Sequence, residues 1–407
     1  MKKYNFIIST IFLTTLFLSC TSNSTVKELK QGNWRGEITI QQKQLPFNFD
    51  VSKNNDDYKI ILHDGDNPIE IDEIEVRNDS VFFTMHIFDI DVKAKILENT
   101  IEGTYTKNYA EDYILPFKAT YNKESRLDDA KAETDFNGKW SFKFDEDPAD
   151  KKKIAVFKTE DGILKGTLLT PTGDYRFLEG SSDSGVFKLY AFDGNHMYIF
   201  EGKLTDNDTL TGEYWSGKTA YKTFTATRNE NATLPDASTL TYLKDGYDKI
   251  EFSFPGLNGT QVTLEDEKYQ DKVVILQLLG SWCPNCMDET KFLTKWYDQN
   301  KDRGVEIIGL AYELKEDFEY AKGRVSKMKT RLNVNYDFVI AGTSDVGNAS
   351  NSLPMLNKVM SFPTSIIIDK NGKVRNIHTG FNGPATGDYY DEYVLEFNHL
   401  LDDLLSE

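Results

Sequence analysis

Two of the three cysteines in this 407-residue chain have only two residues between them, in Trp282-Cys283-Pro284-Asn285-Cys286. The third, Cys20, is far away near the N-terminus. Two thiols separated by two residues on a helical turn can meet, so the pair can cycle between dithiol and disulfide. A zinc site is the first competing reading, but zinc needs four ligands, or three and a water. The chain has no second cysteine pair, and His378 and His399 are the only nearby histidines in sequence. An inert disulfide is the other, although so small a loop stabilises little.

The flanking residues say how the pair must be held. Val273 to Leu279 reads VVILQLL, the pattern of a strand buried on both faces. Gly280-Ser281 turns the chain, and Phe292, Leu293, Trp296 and Tyr297 then recur on one helical face. The cysteines therefore sit where a buried strand feeds a helix N-terminus. Free N–H groups and the helix dipole stabilise an anion there, which lowers a thiol pKa. Cys283, nearer the exposed end, is the expected nucleophile, and Cys286, one turn in, the resolving thiol.

The rest of this region alternates strand and helix. Strands are expected at Val305–Ala311, Tyr336–Ala341, Ser365–Asp369 and Val374–His378, the last two joined by a Lys370-Asn371-Gly372 turn. Phe318, Ala321, Val325 and Met328 mark one amphipathic helix, and Tyr393, Phe397, Leu400, Leu401 and Leu404 another. Such alternation implies a central sheet covered by helices.

Residues 32–122 and 136–229 read differently. Short alternating runs such as Tyr58-Lys59-Ile60-Ile61-Leu62 and Val81-Phe82-Phe83-Thr84-Met85 are split by turn residues, as in antiparallel strands. Gly32-Asn33-Trp34 is echoed by Gly138-Lys139-Trp140 and Val81-Phe82 by Val186-Phe187. Gly103-Thr104-Tyr105 is echoed by Gly212-Glu213-Tyr214, and Phe117-Lys118-Ala119-Thr120 by Phe224-Thr225-Ala226-Thr227. The offsets are 106, 105, 109 and 107 residues, which predicts a duplicated all-β module, each a small barrel or sandwich. Residues 123–135 and 230–248 read as linkers. The modules show no site: Asp145-Glu146-Asp147 and Asp206-Asn207-Asp208 lack the spacing of a calcium loop. His63, His86 and His196 stand singly.

Length and charge bound the function. The chain is long enough for two to four domains. With 47 basic and 65 acidic residues its formal net charge is −18, which argues against a nucleic-acid partner. A hydrophobic fraction of 39% excludes a disordered chain. Lys2 and Lys3 precede an apolar stretch from Phe6 to Leu18, shorter than the ~20 residues a spanning helix needs. With Leu18-Ser19-Cys20-Thr21 after it, residues 1–19 resemble a bacterial lipoprotein signal. That resemblance implies that Cys20 carries lipid and that residues 20–31 tether the protein to a membrane outside the cytoplasm, on a periplasmic or outer-membrane face.

Residues 249–407 resemble the thioredoxin superfamily and, more narrowly, its TlpA/ResA-type thiol-disulfide oxidoreductases. Trp282-Cys283-Pro284-Asn285-Cys286 matches the active-site motif, Ser361-Phe362-Pro363-Thr364 the cis-proline loop, and Phe252 to Gly259 the leading hairpin. Glu289 matches an acidic residue common in that branch, and the Glu313 to Leu356 region its insertion. The resemblance implies a thioredoxin fold with Cys283 and Cys286 catalytic and no cofactor beyond their disulfide. Glu289 would tune the thiols or relay a proton, and Trp282, Pro284, Phe362, Pro363 and Thr364 would line the substrate side. With Pro363 in cis, the Phe362 backbone would be free to pair with an extended client. The clients would be disulfide-containing extracytoplasmic proteins and the electron donor a membrane protein. One departure is Gln277, where many thioredoxins carry a buried acid. Other functions considered are a thiol-dependent peroxidase, which lacks its usual threonine ahead of the cysteine, and a copper(I) metallochaperone using His378. The β modules are expected to position the redox domain or to bind its client.

Overall fold

The computed structural model describes residues 27–128, 131–148, 151–206 and 208–407. Residues 1–19 and Cys20, read above as a lipidation signal, lie outside the described residues. Among the described residues no helix is long and apolar enough to cross a membrane.

Two all-β modules precede the C-terminal α/β domain, each a nine-stranded antiparallel sheet. In the first module, strand Gly32–Ile40 pairs with both the next strand, Lys43–Asn54, and the last, Ile114–Tyr121. In the second, Gly138–Phe144 pairs in the same way with Lys153–Glu160 and Ala220–Arg228. The strands between follow one another as neighbours, so both modules are meanders curled toward a barrel. The second closes through Lys153–Glu160 against Ile163–Thr170, and that strand against Leu178–Asp183. The first stays open between Ile69–Ile71 and Ile74–Arg77, which end its strand order.

Side chains repeat along with the topology. The Trp34 indole N–H donates to the Lys30 carbonyl at 3.0 Å, and that of Trp140 to the Phe136 carbonyl at 2.9 Å. Tyr105 and Tyr214 are both buried, as are Phe117 and Phe224, and Ala119 and Ala226. One echo is corrected. Val81 is buried but Val186 is 42% exposed, so the inward-facing equivalent of Val81 is Phe187. Side chains alternate faces along a strand, and an error of one residue turns a core position outward.

Gly103 and Gly212 mark places where neighbouring strands come too close for a side chain. A Cβ on Gly103 would stand 1.9 Å from the Lys93 carbonyl oxygen, and one on Gly212 2.3 Å from that of Glu201. At Gly103 the blocking atoms are all backbone, so the strand pair itself must move. Gly103→Val is expected to cost about 3 kcal/mol, read as a lower urea midpoint with unchanged slope.

The C-terminal domain is built on a five-stranded sheet: β1 (Val273–Leu279), β2 (Val305–Glu313), β3 (Asp337–Thr343), β4 (Thr364–Ile368) and β5 (Val374–Thr379). Their spatial order is β3-β2-β1-β4-β5, with β1, β2 and β3 parallel and β4 and β5 antiparallel to their neighbours. All seven β1 residues are buried, as a central strand of a covered sheet requires. The helices are α1 (Pro284–Asn300), α2 (Phe318–Arg331), α3 (Val346–Ser352) and α4 (Asp388–Ser406). The Glu313 to Leu356 region thus contributes a helix, a strand and a short helix. On α4, Tyr393, Phe397, Leu401 and Leu404 are buried as the spacing requires, while Leu400 is half-buried at the edge of that face.

Candidate active site

Strand β1 ends at Leu279, and four residues later Cys283 caps α1, whose first residue is Pro284. Proline suits this position because its missing N–H has no partner at a helix start. The Cys286 N–H donates to the Cys283 sulfur at 3.2 Å, and the two sulfurs are disulfide-bonded with Cα atoms 5.2 Å apart. One sulfur thus already receives an N–H of the helix N-terminus, the interaction that would hold a thiolate once the bond is reduced.

The loop before β4 completes the site. The Phe362–Pro363 peptide is cis, and the Phe362 carbonyl oxygen lies 3.7 Å from the Cys283 sulfur. Thr364 is buried, and its hydroxyl donates to the Ser361 carbonyl at 2.9 Å. Trp282 packs edge-on against Phe362, and its indole N–H donates to the Tyr312 carbonyl at 2.9 Å. Residues expected at the site from the motifs, namely Trp282, Cys283, Pro284, Cys286, Phe362, Pro363 and Thr364, therefore stand on two adjoining segments.

Glu289 follows Cys286 by one turn of α1 and is fully buried. Ser365 Oγ donates to one carboxyl oxygen at 2.6 Å, and Gln277 Nε2 to the other at 2.8 Å. Gln277, on β1, also accepts from the Tyr336 hydroxyl at 3.1 Å. Burial pushes the Glu289 carboxyl up to about 7, against those two hydrogen bonds. Such a group is half protonated near neutral pH and can give or take a proton there. The departure at Gln277 is now explained by geometry: a second acid in that place would face Glu289, whereas the amide donates to it.

Sequence reasoning missed Glu313. Its two carboxyl oxygens accept from the Ser281 N–H and Ser281 Oγ, each at 2.8 Å, and so fix the turn that carries Trp282 and Cys283. Burial raises its pKa to about 7, against the Ser281 hydrogen bonds. A signal was available. Leu279 pairs with Ala311 across parallel strands, and Ser281 and Glu313 each lie two residues farther on.

One expectation about exposure is corrected. Cys283 was expected near the exposed end, but it is only 6% exposed, and Cys286 is fully buried. The second β module packs against the residues that flank Cys283. Asn195 Nδ2 donates to the Trp282 carbonyl at 2.8 Å, and Asn285 Nδ2 to the Asp174 carbonyl at 3.4 Å. His378 lies on β5, its ring packed against Tyr393, and burial pushes its pKa down to about 4. Among the described residues no group of three or more histidine, cysteine, aspartate or glutamate side chains is arranged to hold a metal ion.

Residues 230–392 match the Redoxin family. The chain is similar to the thiol-disulfide oxidoreductase ResA of Geobacillus kaustophilus, at 35% identity over 130 residues. It is similar to that of Geobacillus thermodenitrificans at 34% identity over the same length. Either match covers 32% of this chain and 66% of the relative, just under two thirds of its length. A solved thiol:disulfide interchange protein of the thioredoxin family from Chlorobium tepidum TLS aligns with a TM-score of 0.29 at 19% identity, over 40% of this chain and 99% of that one.

Proposed function

We propose that this chain, whose residues 230–392 form a Redoxin domain related to the ResA proteins, is a thiol-disulfide oxidoreductase that reduces disulfides in proteins outside the cytoplasm. The observation that carries the reading is the Cys283–Cys286 disulfide at the start of α1, with the Phe362 carbonyl 3.7 Å from the Cys283 sulfur. No cofactor is needed, because the sulfur pair itself holds the two electrons.

The reaction divides into two exchanges. In the reduced protein, the Cys283 thiolate attacks one sulfur of a client disulfide. A Cys283–client disulfide forms, and the other client sulfur leaves as thiolate. Cys286 then loses its proton to the Glu289 carboxylate and attacks the Cys283 sulfur. The Cys283–Cys286 disulfide forms, and the second client sulfur leaves. Two electrons have passed from the dithiol to the client. A dithiol donor must return them, and outside the cytoplasm that donor is a membrane protein relaying reducing power. Phe362, Pro363 and Thr364, with Trp282 and Pro284, form the side on which an extended client chain would lie.

Lipid on Cys20 is the proposed anchor, holding the molecule in a bacterial cell envelope through the residue 20–31 tether. Cys20→Ala is expected to move the protein from the membrane fraction to the soluble fraction while insulin reduction persists. Retention of the variant in membranes would remove the anchor from the proposal. The activity itself is tested by reduction of insulin with purified full-length protein and dithiothreitol as donor. Catalysis above the donor-only rate is expected, and a rate equal to that of the donor alone would refute it.

A further inference from the structure

Chemistry at a disulfide needs a sulfur or a carbonyl edge that a partner chain can reach, and here both are covered. Cys283 is 6% exposed, Asn285 7% and Phe362 9%. One end of the second β module packs against the residues on either side of Cys283. A Cβ on Gly173 would stand 2.6 Å from Asn285 Nδ2. A Cβ on Gly380, just past β5, would stand 2.7 Å from the Thr172 carbonyl carbon. The Gly383 N–H donates to Asp174 Oδ2 at 2.9 Å, and Asn195 Nδ2 holds the Trp282 carbonyl. Residues 172–174 therefore rest directly on the redox motif and the loop after β5.

Arg176 closes this contact. It is fully buried and pairs with carboxylates from all three domains. These are Asp64 of the first module at 3.0 Å, Asp193 of its own module at 3.0 Å, and Asp288 of α1, two residues after Cys286. Asp288 also accepts from Asn67 Nδ2 of the first module at 2.8 Å. The contacts of Asp174, Arg176 and Asn195 with the redox domain are polar, and a cavity of about 520 Å³ opens at Gly173, lined also by Thr170, His378 and Tyr389 among others. Polar interdomain contacts of this type permit relative motion.

We propose that the end of the second β module, residues 172–176 with Asn195, is an intramolecular cap over the Cys283–Cys286 pair, and that it must part from the redox domain before a protein-sized partner can reach the sulfurs. Arg176 is the positioning residue of the closed form, not a catalytic one. The inference rests on the reading of the pair as the redox centre. It assigns the modules a part in that reaction: selecting which partners can open the cap.

The test is the rate at which the Cys283–Cys286 disulfide of the full-length chain is reduced by a protein, reduced thioredoxin, followed by maleimide gel shift. Wild type is compared with Gly173→Val, which drives a side chain into Asn285, and with Arg176→Met, which releases Asp288. Both variants are expected to react at least tenfold faster than wild type, while reduction by tris(2-carboxyethyl)phosphine rises by a smaller factor. Should Arg176→Met lose its native circular dichroism, Gly173→Val carries the comparison alone. Thioredoxin rates within twofold of wild type, in a variant with native circular dichroism, would overturn the cap. Reduction of the pair by an added reagent does not depend on turnover of any client. Faster reduction without insulin turnover would therefore sink the oxidoreductase reading and leave the cap, and the reverse would sink the cap alone.

Discussion

Cys283→Ser is expected to lower insulin reduction by about 10³-fold or more, the scale on which loss of a nucleophile falls. The reason is acidity. A serine hydroxyl at the start of α1 receives the same N–H of Cys286 but does not ionise near neutral pH, so nothing attacks the client sulfur. The substitution is nearly isosteric and replaces one of two sulfurs in a small loop, so stability should change little by comparison. Turnover and thermal unfolding of the same preparation separate the two effects. A Cys283→Ser variant that kept more than a tenth of wild-type turnover would place the nucleophile elsewhere.

Glu289→Gln should act on a different step and should carry a pH signature. If the Glu289 carboxylate takes the Cys286 proton, its loss slows release of the mixed disulfide by about 10²-fold. The rise in that rate with an inflection near pH 7, set by the raised Glu289 pKa, should then vanish. Stability gives an independent reading. A carboxyl whose folded pKa is raised from 4.5 to about 7 contributes stability that is full below pH 4.5 and lost as pH rises through 7. The loss is about 3 kcal/mol in wild type. Denaturant midpoints measured from pH 4 to pH 8 should fall in wild type and stay level, as far as this group is concerned, in Glu289→Gln. An unchanged pH profile of the release rate would remove Glu289 from the proton path.

What could be read from the chain in advance was whatever is local. A seven-residue apolar run, a turn and Trp282-Cys283-Pro284-Asn285-Cys286 specify a strand, a helix start and a sulfur pair within fifteen residues of one another. Ser361-Phe362-Pro363-Thr364 before an apolar run specifies the adjoining loop. The duplication showed through Trp34 and Trp140, and through Phe117 and Phe224, because a barrel repeats its inward residues at a fixed spacing. The one-residue slip at Val81 arose because two adjacent apolar residues in a strand face opposite ways, and sequence similarity does not say which faces in.

The cap could not be read. Arg176 meets Asp64 and Asp288 across 112 residues in each direction, and nothing local to Asp64, Arg176 or Asp288 distinguishes them from solvated turn or helix residues. A buried arginine among carboxylates is specified only once three domains have been placed. The same holds for Asn195 on the Trp282 carbonyl. Such contacts also explain why modules without visible chemistry bear on the chemistry of the last domain.

The most direct measurement is the capture of a covalent intermediate. Cys286→Ala removes the resolving sulfur and leaves Cys283 able to attack once. Incubated in reduced form with envelope extract or with oxidised insulin, this variant should accumulate a disulfide to the client. The adduct should be visible on a non-reducing gel, abolished by dithiothreitol and absent from the Cys283→Ser, Cys286→Ala double variant. No adduct from Cys286→Ala, or an adduct that persists in the double variant, would contradict a two-step exchange through Cys283.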